Sequence, residues 1–327
     1  MEAISCEMKH INRRDFLRSS ATVLAVAGCG TAAGACRTVH EGAGEPRWRY
    51  AICNEIMQDW AWSRQCSYAA EIGYQGLEVA PFTLANHVDD ISADRRAELR
   101  ETAREAGVPV IGLHWLLVTP EGLHVTTPDE DLRRRSWDYV VALAELCTDL
   151  GGDIMIFGSP GQRSSQGTSS EEAVAHLTDG LVRVAPALAS HDVKLLLEPL
   201  SSDQTDVINT LEDAVRVVQD VDHPAVSAMY DFHNTADERL ALAELVHRYA
   251  GYIDHIQIQE MDGTYLGTGD AEQEFVPALR AFRDIGYDGW LSLEVFDFEA
   301  GPETIAAESI ATLRRMEDAV TSAQGRP

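Results

Sequence analysis

From Arg49 to Phe296 the chain alternates eight times between a short apolar or β-branched run and a stretch with helical spacing. The strand-like runs cover residues 49–56, 76–82, 109–117, 153–159, 193–200, 226–234, 253–260 and 290–296. Between them lie segments such as SADRRAELRETAREAG, in which Ser92 suits an N-cap and Gly107 a C-terminal stop. Strands that alternate with helices imply parallel βα units. Eight units in about 270 residues match the size of a closed (β/α)8 barrel. An open doubly wound sheet would place a glycine-rich phosphate turn after its first strand, yet CNEIMQDW has no glycine, and no GxxxxGK[ST] occurs anywhere. The expected fold class is therefore α/β, a single (β/α)8 TIM barrel over residues 48–320, with a short tail at 321–327.

The amino terminus has a different composition. INRRDFLRSSATVLAVAGCG joins paired arginines, Arg13 and Arg14, to a small-residue apolar stretch ending at Gly28. That stretch is shorter than the roughly 20 apolar residues a membrane-spanning helix needs. Its order of basic, apolar and small residues is that of an export signal. RRDFL resembles the twin-arginine signal, and Val26-Ala27-Gly28-Cys29 resembles a lipobox. The expectation is a signal over 1–28, a flexible tether over 29–47, and a periplasmic protein or one held at the envelope by a lipid on Cys29. Cys53, Cys66 and Cys147 stand alone in strand-like or helix-like segments and read as small core residues, not as a disulfide framework. The formal charge of -27 disfavours nucleic acid and anionic bilayers as partners. A small neutral or cation-assisted substrate is easier to accommodate, and a second copy of the chain is left open as a partner.

In such a barrel the active site is built at the carboxyl ends of the strands. That edge carries Glu55, Glu78, His114, Glu198, Asp231, His233, His255 and Glu294, each in or just after an otherwise apolar run. The sharper set comes from strands five to eight: Glu198 in LLLEPL, Asp231 in AMYDFHN, His255 in DHIQIQ and Glu294 in LSLEVF. Three carboxylates and one imidazole suit Mn2+, Mg2+ or Co2+, with Zn2+ also able to bind, better than they suit a thiolate-type structural zinc site. Arg163, in GSPGQR after strand four, is placed to meet an anionic or polyhydroxy group, and Glu78 and His114 to contact substrate or to orient other site residues.

With these residues in view, the stretch from about Arg49 to Met316 resembles the xylose-isomerase-like TIM-barrel superfamily, which includes ketose 3-epimerases, hydroxypyruvate isomerases, inosose dehydratases and endonuclease IV. GYQGLEVAPF resembles its second strand, LEPL its fifth, MYDFHN its sixth, HIQIQ its seventh and GYDGWLSLEVF its eighth. The resemblance implies one divalent metal held by Glu198, Asp231, His255 and Glu294, with Glu198 and Glu294 as the acid/base pair. Such a metal polarises a substrate carbonyl, and the two glutamates then move the proton on the neighbouring carbon through an enediolate, giving isomerisation or epimerisation. In the family a histidine commonly three positions past the sixth-strand aspartate holds a substrate oxygen; His233 stands two past it. Ketose epimerases usually show His-x-His on strand seven, with an arginine six residues past the first; here Gln257, read as a substrate contact, and Met261 occupy those positions, and HIQ is closer to hydroxypyruvate isomerase. LGTGD at 266–270 resembles the family's Pro-Gly-Thr-Gly-Glu loop. The same chemistry can expel a leaving group, so a dehydratase or lyase acting on an oxidised sugar, glycoside or inositol is the alternative enzyme, and a sugar-binding protein without turnover the alternative outside catalysis. Endonuclease activity is opposed by the acidic charge and the thin supply of histidines.

Overall fold

The computed structural model describes residues 48–322. The twin-arginine stretch, Cys29, the tether and residues 323–327 lie outside the described residues. Eight parallel strands close into one barrel in chain order. They are β1 (Arg49–Cys53), β2 (Gly76–Val79), β3 (Val110–Leu113), β4 (Ile154–Phe157), β5 (Lys194–Leu197), β6 (Val226–Asp231), β7 (Ile253–Ile258) and β8 (Trp290–Leu293). The helices that wrap them are α1 (Trp62–Ile72), α2 (Ala93–Ala106), α3 (Glu130–Leu150), α4 (Ser170–Ser190), α5 (Leu211–Val221), α6 (Leu242–Tyr249), the single turn α7 (Ala271–Glu274), α8 (Val276–Asp284) and α9 (Pro302–Ser322).

Several helices begin and end at residues suited to cap them. Ser92 Oγ accepts the Arg95 N–H at 3.3 Å to open α2, and Gly107 closes it at φ 84°, a left-handed conformation that costs glycine nothing. Ser169 and Glu172 form a capping box at the start of α4. The strands are shorter than the apolar runs that announce them. β5 stops at Leu197 and β8 at Leu293, so Glu198 and Glu294 sit one residue beyond the last paired position, at the rim where catalytic side chains of such barrels stand.

Side-chain alternation divides the barrel interior into two unlike halves. On the β4–β6 side Ile154, Ile156, Leu196 and Met229 form an aliphatic plug separate from the main core. Between β1, β2, β7 and β8 the interior is polar: Cys53, Glu78, His255, Gln257 and Ser292 are all fully buried. Barrels of this kind are normally filled by branched aliphatic side chains. A polar filling survives burial only when its groups satisfy one another. Cys53, Cys66 and Cys147 are buried free thiols, as expected of small core residues.

Candidate active site

Glu198, Asp231 and Glu294 converge: one oxygen from each lies within 4.8 Å of the others, and all three residues are buried. Their hydrogen-bond donors are neutral. Asn234 Nδ2 donates to Glu198 Oε1 at 3.0 Å and to Asp231 Oδ2 at 2.6 Å, the His233 N–H donates to Asp231 Oδ1 at 3.0 Å, and Trp115 Nε1 donates to Glu294 Oε1 at 2.7 Å. Burial pushes the Glu198 carboxyl up to about 7, against the pull of Arg163. Burial, and then the charge of Glu198, lifts Asp231 and Glu294 well above the usual carboxylate range. Three anions this close in a dry site repel one another and demand protons or a cation.

The local chain is shaped around this cluster. A Cβ at Gly158, just after β4, would collide with Glu198 Oε2, so only glycine leaves room for that carboxylate. Trp115 and Ser159 follow β3 and β4 with φ of 50° and 51°, a left-handed backbone uncommon outside glycine that costs on the order of 1–3 kcal/mol and tends to gather at functional sites. The turn at Trp115 is what brings its indole over Glu294. A pocket opens onto the cluster between His114, Trp115, Ser159, Glu198, Glu294 and Phe296. Trp115 and Phe296, which line it, are the middle members of an edge-to-face row of rings running Phe82, Trp115, Phe296, His233, with ring centres 5.0 to 6.4 Å apart.

The remaining expected site residues are placed differently. His255 does not join the carboxylates; its Nε2 lies 2.7 Å from Glu78 Oε2, and neither residue is exposed. Pairing explains this: Asp231 lies opposite Gln257 in the β6–β7 register, so His255 is two residues deeper. Gln257, expected to touch substrate, gives its Nε2 to Glu78 Oε1 at 2.7 Å, and its buried Oε1 has no hydrogen-bond partner. Arg163, expected on an open loop, is wholly buried, with Nη1 donating to the Phe157 carbonyl at 3.0 Å; an enclosed guanidinium cannot greet a ligand, and burial pulls it down to about 10. His114 lines the pocket with Nε2 on Glu55 Oε2 at 2.8 Å, while Glu78 lies deeper. Cys53, Glu55 and His114 make a second close group, but that imidazole contact is already taken by Glu55. His233 Nδ1 is 3.2 Å from the Glu260 carbonyl and packs on Phe296. The position three past Asp231 belongs to Asn234, which the sequence reading did not single out, as it did not single out Trp115.

The sequence profile of the family described as "Xylose isomerase-like TIM barrel" matches residues 66–316. The chain belongs to this family. Among curated family relatives, a probable ketose 3-epimerase of Synechocystis is 26% identical over 69% of this chain and 76% of its own length. The 3-dehydro-D-guloside 4-epimerase of Escherichia coli K12 is 23% identical over 76% and 92%. Among solved structures, 3-keto-D-glucoside 4-epimerase from E. coli superposes with a TM-score of 0.70 at 20% identity, covering 82% of this chain and 99% of that one. An L-ribulose 3-epimerase superposes with a TM-score of 0.71 at 17% identity, covering 86% and 100%. At these identities the superpositions establish the xylose isomerase-like fold.

Proposed function

We propose that this barrel is a divalent-cation-dependent sugar epimerase that moves the proton on a carbon next to a ketone. The observation that carries the reading is the convergence of Glu198, Asp231 and Glu294 in a buried site whose hydrogen-bond donors are all uncharged. The residues fit a cation: three carboxylates supply charge, and the Oε1 of Gln257, opposite Asp231 on β7 and without a partner, supplies a fourth oxygen. In this reading Gln257 takes the ligand place first expected of His255. A bound cation polarises the substrate carbonyl and acidifies the neighbouring C–H.

Glu198 and Glu294 reach the pocket from β5 and β8 and serve as the base and acid, one withdrawing the proton and the other returning it on the opposite face. Asn234 holds Glu198, and Trp115 holds Glu294, in the orientation this requires. Neither lysine nor arginine is among the described residues lining the pocket, which favours an uncharged keto-sugar over a phosphorylated one. Relatives named for ketose and keto-glycoside epimerisation support that class.

The test is NMR of free ketoses and 3-keto-glycosides in D2O with the protein as purified, after EDTA, and after addition of Mn2+. Deuterium should enter the carbon beside the carbonyl, disappear with EDTA, and fall by a factor of about 10²–10⁴ in Glu198→Gln and Glu294→Gln. An unsaturated product would reassign the same proton abstraction to a lyase. Binding of a keto-sugar without any exchange would make the barrel a sugar receptor.

A further inference from the structure

A primary amide shows either its oxygen or its NH2 to a given direction, according to a half-turn about its last bond, so its neighbours must choose. For Gln257 the neighbour is Glu78. This carboxylate is fully buried, and both its oxygens are taken: Oε1 accepts from Gln257 Nε2 at 2.7 Å and Oε2 from His255 Nε2 at 2.7 Å. His114 Nδ1 closes the third side at 3.5 Å from Oε1. Turning the Gln257 amide over would set its oxygen against a carboxylate oxygen, acceptor on acceptor, and turn an NH2 toward the place where Oε1 now lies. Oε1 itself is enclosed and unpartnered.

We propose that Glu78 is a positioning residue that fixes the polarity of Gln257, holding its amide nitrogen inward so that its carbonyl oxygen is presented to a cation at Glu198, Asp231 and Glu294. This rests on the cation reading above and deepens it. Glu78 and Gln257 belong to β2 and β7, which are not neighbours in the barrel, so the contact runs through the polar half of the interior. Groups behind metal ligands commonly govern affinity in this way.

The experiment is calorimetric titration of Mn2+ into EDTA-stripped, dialysed protein, with circular dichroism and thermal melts on every variant. In Glu78→Gln the new amide can still accept from His255, but its NH2 then seeks the Gln257 oxygen and draws it away. Mn2+ affinity is expected to fall about tenfold or more. The exchange variant Glu78→Gln with Gln257→Glu keeps the same contact with its polarity reversed and leaves a carboxylate oxygen for the cation. It is expected to return to within about threefold of the parent, a coupling that two independent changes would not show.

Parent-like Mn2+ binding by Glu78→Gln overturns the proposal, as does an exchange variant that is folded and still binds as weakly as the single change. If Glu78→Gln does not fold, the exchange variant decides alone, and its own failure to fold counts against the proposal, because all its hydrogen bonds can be remade. Gln257→Leu is the separate control. Unchanged Mn2+ affinity there would remove Gln257 from the ligand set and overturn this proposal while the three-carboxylate site stands; the cation reading itself fails only if the parent protein binds no Mn2+.

Discussion

Asn234 spends its whole side chain inside the molecule. Its nitrogen holds Glu198 and Asp231, and its oxygen accepts from Ser201 Oγ at 3.1 Å and Gln204 Nε2 at 2.6 Å. It thus ties two candidate ligands to the loop after β5. Asn234→Leu removes both donors while roughly keeping volume, and is expected to cut Mn2+ affinity and deuterium exchange by about 10–100-fold. Titration and exchange rates on the folded variant check this; parent-like values would reduce Asn234 to packing. Only its place three past Asp231 marks this residue in the sequence, because a single asparagine in a turn has no period to betray it. His255 and Gln257 show a different limit. Both face inward, two residues apart, and alternation gives the facing of a side chain but not its depth. Depth came from the pairing of Asp231 with Gln257. Glu198, Asp231 and Glu294 were legible for the opposite reason: a carboxylate closing an apolar run has no cheap structural excuse.

At the scale of elements, the eight strands and most helix boundaries could be read from periodicity and caps, since each run of apolar residues is also a buried strand. The rim could not, because its shape depends on backbone conformations that no side-chain pattern encodes. Trp115 and Ser159 adopt left-handed φ, and the Arg163 loop folds its guanidinium inward although glycine, proline and polar neighbours suggest an open turn. Gly158 joins β4 to the Glu198 carboxylate through the absence of a side chain. Gly158→Ala is therefore expected to displace Glu198 and abolish most deuterium exchange, at a stability cost of about 1–3 kcal/mol. Urea unfolding alongside exchange tests the pair of effects. Full exchange in the alanine variant would show that Glu198 tolerates displacement and is not the base.

For the whole molecule the buried carboxylates set a pH signature. Without metal, burial raises Glu198 from 4.5 to about 7 and moves Asp231 and Glu294 in the same direction. The folded state then holds protons that the unfolded chain releases, so this stabilisation is complete below about pH 4.5 and is lost as pH rises through about 7. Glu78 runs the other way: burial opposes its ionisation, but His255, His114 and Ser292 together outweigh burial and hold it at about 2, so its contribution is present above 4.5 and fades only toward that acid limit. Across the neutral range the first effect wins. EDTA-treated protein is expected to melt at a lower temperature at about pH 8 than at about pH 5, and saturating Mn2+ should cancel the decline by replacing the protons and stabilising the folded state. Melting curves at several pH values, with and without Mn2+, measure it; a metal-free melting temperature independent of pH would show that the carboxylates do not hold those protons.

The two halves of the chain contribute unequally to this site. Glu198, Asp231, Gln257 and Glu294 all come from β5 onward, whereas Glu78, Trp115 and Gly158, which touch them, come from the first four units. A fragment from β5 to the end would own every candidate ligand and none of these three supports. On the cation reading, affinity would thus be a gauge of ring closure: until the first four units meet the last four, Gln257 and Glu294 lack the Glu78 and Trp115 contacts that fix them.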